Sequence, residues 1–275
     1  MSREQSLSQP RLEATGIEVV VATRGGERCL LAGLDLRVES GEILGLCGSS
    51  GAGKTLTALT LGGLLPPPLR WRAGYIRVAG RLLEPGLVQE WREIRGRGVF
   101  VLFQSPGLAL NPRLRIGLQI AETLVSAHGL ARRPATREAA RLLERVGLTA
   151  ATTRAYPFQL SGGMRQRVLI AIAMGLRPSV VIADEPTTGL DPARRDAILE
   201  LLRELVADTD AALLMISHDL EALAHLSRRI GVLDAGRLVE IAPTAELFAR
   251  PRAVATQQLV ASLAALRAAD DQPVD

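Results

Sequence analysis

Gly48-Ser49-Ser50-Gly51-Ala52-Gly53-Lys54-Thr55 is a complete G-x-x-x-x-G-K-[ST] phosphate loop. Of the 33 basic residues in the 275-residue chain, Lys54 is the only lysine. The chain uses a compact ammonium here and a guanidinium everywhere else. A planar guanidinium prefers two-point contacts, whereas a loop wrapped round phosphate leaves room for a thin stem with one charge. The flanks supply the context that the motif needs. Glu42 to Cys47 is a short apolar run, read as a strand, and Leu56 to Leu65 reads as a helix stopped by Pro66-Pro67-Pro68. Strand, loop and helix in that order argue against an idle glycine-rich turn. The expectation is that backbone N–H groups of Gly48, Ser49, Ser50, Gly51, Ala52 and Gly53 cradle a phosphate chain at the helix N-terminus. Lys54 then reaches the outer phosphates, and the Thr55 hydroxyl binds Mg²⁺.

Working outward, Val180 to Ala183 is fully apolar and runs into Asp184-Glu185, the Walker B pattern. Asp184 is expected to hold the magnesium. Glu185, one residue on, can face an attacking water, which is a poor nucleophile without a positioned base. An acidic strand end is common in any α/β protein, so this pair gains its meaning from the phosphate loop before it. Leu213 to Ile216 is a second buried parallel strand by the same reading, and Val99 to Phe103 a third, ending at Gln104. Tyr75 to Val78 is read as a strand, and Pro192 to Val206 as a helix. From Ser105 to Arg177 the pattern is mostly helical. One helix is read from Pro134 to Gly147, with Ala139, Leu142, Leu143 and Val146 on one face. Ile230 to Glu240 carries a turn at Asp234-Ala235-Gly236. From Thr244 onward the tail reads as helical, with a weak stripe of Leu259, Leu263 and Leu266 and fraying at Asp270 to Asp275.

Composition bounds the function. The chain is 47% hydrophobic and 23% charged, which reads as globular. No apolar run approaches the roughly 18 residues of a membrane helix. The polar start, Met1 to Pro10, lacks the apolar core of a signal peptide, so a cytosolic protein is expected. Any work at a membrane would be done by docking to another protein. The net charge is +4, but acidic residues lie between the arginines, and aromatics are 3%, too few for a base-stacking surface. No nucleic-acid partner is expected. Cys29 and Cys47 lack metal-ligand spacing and read as reduced packing residues.

Leu160-Ser161-Gly162-Gly163-Met164-Arg165-Gln166 resembles the signature sequence of ATP-binding-cassette (ABC) ATPases. Free N–H groups and a helix dipole there make a second anion site. The resemblance spans roughly residues 12 to 245. It implies an ABC ATPase fold: an α/β P-loop (RecA-like) core with a small antiparallel β region and an inserted α-helical subdomain at about 105 to 178. Residues 246 to 275 are then a C-terminal helical tail. It also implies ATP and Mg²⁺ as cofactors, with Gln104 at the Q-loop position contacting magnesium. Gly189-Leu190-Asp191 falls at the D-loop across a dimer interface, and His218 is similar to the switch histidine at the γ-phosphate. Ser161, Gly162 and Gly163 would serve the γ-phosphate held by a partner chain. Family members place an adenine-stacking aromatic well before the loop. Ile17 to Arg28 has none, and Val21 to Thr23 is where it should fall. Loss of stacking, worth about 1 kcal/mol, implies weak discrimination of ATP from GTP.

Within the family, Tyr156 to Met164, Ala183 to Thr188 and Gln104-Ser105-Pro106 with Leu110-Asn111-Pro112 are similar to the dipeptide, oligopeptide and nickel importers. Leu56-Thr57 leading to Leu64-Leu65-Pro66, the missing aromatic and a tail without cysteines resemble the nickel-import ATPase subunit more closely. The resemblance therefore implies an ATPase powering uptake of nickel or a metal–metallophore complex. The alternative is a peptide importer, and a non-transport ABC ATPase is a more remote reading. Its implied partners are a second ATPase subunit, two transmembrane permease subunits and, indirectly, an extracytoplasmic solute-binding protein. Its implied place is the cytoplasmic face of a bacterial inner membrane, held there peripherally.

Overall fold

The computed structural model describes residues 9–270 except 106 and 108. Met1 to Ser8, Pro106, the side chain of Leu266 and the tail beyond Asp270 lie outside the described residues, and so do the readings that fall on them. In chain order the elements are β1 (Leu12–Thr23), β2 (Gly26–Val38), β3 (Ile43–Gly48), α1 (Lys54–Leu61), β4 (Leu69–Val78), β5 (Arg81–Leu83), α2 (Val88–Ile94) and β6 (Val99–Leu102). Then follow α3 (Ile116–His128), α4 (Arg132–Arg145), α5 (Gly162–Leu176), β7 (Val180–Asp184), α6 (Pro192–Thr209), β8 (Ala212–Ile216), α7 (Leu220–Leu226), β9 (Arg229–Asp234), β10 (Arg237–Pro243), α8 (Thr244–Ala249) and α9 (Val254–Asp270).

The apolar run before the phosphate loop is a central strand. β3 pairs in parallel with β8 on one side and β9 on the other, in a sheet ordered β10-β9-β3-β8-β7-β6. Every residue of β3, β7 and β8 is buried, as expected of parallel strands covered on both faces. The pleat sorts them. Val181, Ala183, Leu213 and Met215 join the core shared with the helices, whereas Val180, Ile182, Ala212, Leu214 and Ile216 join the core shared with the second sheet. Only β10 is antiparallel within this sheet.

The second sheet, β2-β1-β4-β5, is antiparallel throughout. It is the small antiparallel region implied by the resemblance, yet β1 and β2 escape a reading by alternation. β1 carries register shifts between Ala14 and Ile17, Ile17 and Glu18, and Val19 and Val20, so its period of two is repeatedly reset. β4 starts at Leu69, six residues before the expected Tyr75, because the chain pairs with β1 directly after the prolines.

Helix boundaries moved for identifiable reasons. α1 ends at Leu61 rather than at Leu65, since Gly62-Gly63 closes it. Leu64 N–H returns to the Leu59 carbonyl at 2.7 Å and Gly63 N–H to Thr60 at 3.0 Å, a Schellman ending. α4 runs Arg132–Arg145, shifted two residues back from Pro134 to Gly147, and buries Ala135, Ala139, Leu142 and Leu143. Between β6 and β7 lie α3, α4 and α5 packed on one another. At the C-terminus, Leu259, Val260 and Leu263 of α9 pack on the main core, and Thr256 is buried. A boundary at 245/246 falls inside α8.

Candidate functional site

β3 delivers the phosphate loop by a turn that only glycine can make. A Cβ on Gly48 would stand 2.2 Å from the Leu233 carbonyl of β9. Gly53, left-handed at φ 106°, caps α1 without any side-chain bond to the first turn. The N-terminal N–H groups of α1 are thus left to an anion. Lys54 Nζ donates to the carbonyls of Gly48 and Ser49 at 2.9 and 3.0 Å, which holds the ammonium beside the loop.

Facing the loop is a cleft of about 420 Å³ lined by Ser50, Gly51, Gly53, Lys54, Thr55 and Leu56, with Leu30, Gln104, Glu185 and His218. Three separate segments therefore bring Gln104, Glu185 and His218 to the phosphate loop. Leu30 of β2 is the contribution from the antiparallel sheet. Val21 to Thr23, expected to border the base, do not line this cleft. Nor does any aromatic residue among the described ones.

Glu185 follows the last residue of β7 in a left-handed conformation, φ 52°. A non-glycine residue there costs about 1–2 kcal/mol. Its backbone N–H, bonded to the Ile216 carbonyl at 2.9 Å, pins the turn to β8. The carboxylate is held at both oxygens. Oε1 accepts the His218 backbone N–H at 3.0 Å, and Oε2 lies 2.7 Å from His218 Nδ1 and accepts Thr188 Oγ1 at 3.0 Å. An ionised carboxylate only accepts, so Nδ1 carries the proton and Nε2 is the free ring nitrogen. Glu185 is nearly buried while the His218 ring is open to solvent.

Asp184 is buried, and burial, helped by the charge of Glu185, pushes its carboxyl up against the neighbouring Thr55 hydroxyl and the charge of Lys54. Its Oδ1 has no hydrogen-bond partner among the described residues. A buried, unpartnered carboxylate oxygen beside a hydroxyl suits a hard cation. No group of three or more His, Cys, Asp or Glu forms a metal cage among the described residues.

The remaining sequence-predicted residues stand outside this cleft. Ser161 is the N-cap of the 15-residue α5, its Oγ accepting Met164 N–H at 3.3 Å. Ser161 and Gly162 are exposed, and Gly163 lies next to Leu190. Asp191 caps α6, accepting Arg194 N–H at 3.0 Å. The local structure thus gives it a capping task rather than a place beside Lys54. Cys47, at the end of β3, is buried, and its thiol is pushed up to about 12. Cys29 is exposed, which corrects its reading as a packing residue.

The sequence reading missed Leu30 in the cleft and Arg195 beside it. Arg195, on the first turn of α6, pairs with Asp219 at 3.1 Å. Asp219 caps α7 and directly follows His218. An ion pair between segments 24 residues apart leaves no pattern in the sequence.

Residues 31–188 match the family described as ABC transporter. The oligopeptide transport ATP-binding protein OppD of Bacillus subtilis is 36% identical over 264 residues, covering 95% of this chain and 74% of the relative. The dipeptide transport ATP-binding protein DppD of the same organism is 35% identical, covering 96% and 80%. A putative peptide import ATP-binding protein of Brucella melitensis is 39% identical, covering 93% and 78%. Among solved structures, a dimeric post-hydrolysis state of the ATP-binding cassette MJ0796, bound to ADP and Pi, superposes with a TM-score of 0.75. It covers 85% of this chain and 98% of that one at 23% identity. The fold is the ABC ATPase fold, and this chain belongs to the ABC transporter family as one of its ATP-hydrolysing members.

Proposed function

We propose that this chain is the energy-coupling ATPase of a peptide importer. Relatives named for oligopeptides and dipeptides align over more than nine-tenths of this chain, and that observation supports the solute class. It favours the peptide alternative over the nickel or metallophore reading, for which the sequence offered only local resemblances. Two permease subunits, a second ATPase chain and an external binding protein complete the proposed machine at the cytoplasmic face of a bacterial membrane. Among the described residues no helix is long and apolar enough to cross a membrane. We place the ATPase domain at 12–245, with 105–178 as its helical insert.

The chemistry follows from the cleft. Loop N–H groups, Lys54 and the α1 N-terminus bind the triphosphate and neutralise charge that develops as the terminal phosphoryl leaves. Asp184, Thr55 and Gln104 would hold Mg²⁺, which supplies further charge neutralisation when bound. Glu185 positions water and takes its proton as the oxygen bonds to the γ-phosphorus and the bond to the bridging oxygen breaks. His218, fixed through Nδ1, turns Nε2 outward to the γ-phosphate. Ser161, Gly162 and Gly163 stand apart from this cleft, and in this proposal they serve the nucleotide of the paired cassette, with Asp191 at the same interface. Uptake of labelled dipeptide, oligopeptide and Ni²⁺ by the assembled importer in vesicles tests the solute. The account expects ATP-dependent peptide accumulation, and Ni²⁺ accumulation without peptide uptake would overturn it.

A further inference from the structure

The chain has few aromatic residues, eight in all. Two of them, Tyr156 and Phe158, stand immediately before the Ser161 turn. Phe158 is 69% exposed, more than any other large hydrophobic side chain among the described residues. Its ring stacks on Tyr156 with centroids 5.6 Å apart and planes 12° from parallel, and Arg115 lies 5.8 Å over the Tyr156 ring. The pair is rigidly mounted. Pro157 is buried beneath it, Gln159 N–H bonds the Tyr156 carbonyl at 3.0 Å, and Gln159 Oε1 accepts Tyr156 N–H at 2.8 Å. The phosphate-loop cleft, in contrast, has only aliphatic Leu30 and Leu56 to offer a base.

We infer that Phe158 is a stacking platform for the base of the nucleotide held by the paired cassette. This rests on the shared-site reading proposed above. Phe158 and Ser161 are three positions apart, a reach of at most about 10 Å. A nucleotide whose γ-phosphate meets Ser161 thus carries its ribose and base into the neighbourhood of Phe158. A ring already backed by Tyr156 and Arg115 loses little freedom on stacking and takes any base, since every base has a π face. The site would therefore compensate in trans for the aromatic that the cleft lacks in cis. It would bind ATP and GTP with little preference.

The test uses the assembled importer, with ATPase kinetics for Phe158→Ala, Phe158→Trp and Ser161→Arg. Inorganic tripolyphosphate, a triphosphate without a base, serves as competitive inhibitor. The inference expects Phe158→Ala to raise KM for ATP roughly 5- to 10-fold with kcat near that of the native chain. It expects Phe158→Trp to restore KM, and the tripolyphosphate inhibition constant to stay unchanged in both. An unchanged KM in Phe158→Ala overturns the inference. So does an equal loss for ATP and tripolyphosphate, which would mean a distorted Ser161 turn. Normal ATPase kinetics with lost peptide uptake would make Phe158 a permease contact instead, and would also overturn it. Ser161→Arg separates the two levels. If it abolishes turnover while Phe158→Ala changes nothing, the shared site stands and only the stacking platform falls. If Ser161→Arg turns over normally, the shared site itself falls.

Discussion

Glu185 and His218 are joined twice, through the histidine's backbone N–H at 3.0 Å and its Nδ1 at 2.7 Å, on two different carboxylate oxygens. The carboxylate to which we assign the attacking water is thereby oriented by the loop after β8. Glu185→Gln keeps the shape and an accepting oxygen but cannot take a proton. It should lower kcat by at least about 100-fold while nucleotide binding persists, measured by single-turnover hydrolysis beside equilibrium binding. Normal turnover would remove Glu185 from its role. His218→Ala removes the Nδ1 bond and leaves the backbone N–H and Thr188 to hold the carboxylate, and it should cost about 10- to 100-fold in kcat with a smaller change in KM.

Asp184 links stability to function with opposite signs. Burial raises its folded pKa above the ordinary 3.8, so the folded state holds more protons than the unfolded one in the window just above that value. Stability contributed by this group therefore falls as pH rises through that window. Asp184→Asn should melt a few degrees higher without nucleotide, yet lose Mg²⁺-dependent hydrolysis. A lower melting temperature for this variant would contradict the reading of Asp184 as a buried charge that its neighbours compensate only in part.

Arg195 ties the start of α6 to the segment that carries His218. Removing one half-buried ion pair costs about 0.5–1 kcal/mol. Arg195→Ala should lower kcat about two- to fivefold with KM for ATP held, and Arg195→Lys should recover part of it. A drop in KM-limited binding alone would show that the pair serves the nucleotide and not the histidine.

Glu240 fastens the C-terminal helix. Its oxygens accept the N–H groups of Arg252 and Ala253, at 3.1 and 2.9 Å, ahead of α9. Burial opposes the charge, but the neighbouring Thr256 hydroxyl, these N–H groups and the charge of Arg252 together outweigh it, and the carboxyl is held below its ordinary 4.5. With the folded value depressed, the stabilisation is present above about pH 4.5 and is lost as pH falls through the folded value. Glu240→Gln should speed hydrogen exchange in α9 about fivefold at neutral pH, a cap's worth of about 1 kcal/mol. Unchanged protection there would leave α9 held by its apolar contacts alone.

The site was more legible in the sequence than the sheet that flanks it. Gly48 to Thr55, Asp184-Glu185 and His218 each follow an all-buried parallel strand, and such strands announce themselves as unbroken apolar runs. β1 lost its alternation to register shifts, and α2 is seven residues long with Trp91 and Ile94 as its buried face, too short to show a period. Leu30, Arg195 and the Glu240 clamp came only with tertiary structure, because each acts on a segment distant in sequence. Motif reading also ranked nickel above peptides from local matches, whereas whole-chain similarity reversed that order.

The central claim is that one nucleotide is shared between the phosphate loop of one cassette and the Ser161 turn of another. The direct measurement is the mass of the Glu185→Gln cassette, with and without its partner ATPase, in saturating ATP and Mg²⁺ by analytical ultracentrifugation. The account predicts a two-cassette particle that Ser161→Arg abolishes. A cassette that stays monomeric under every one of these conditions would contradict it.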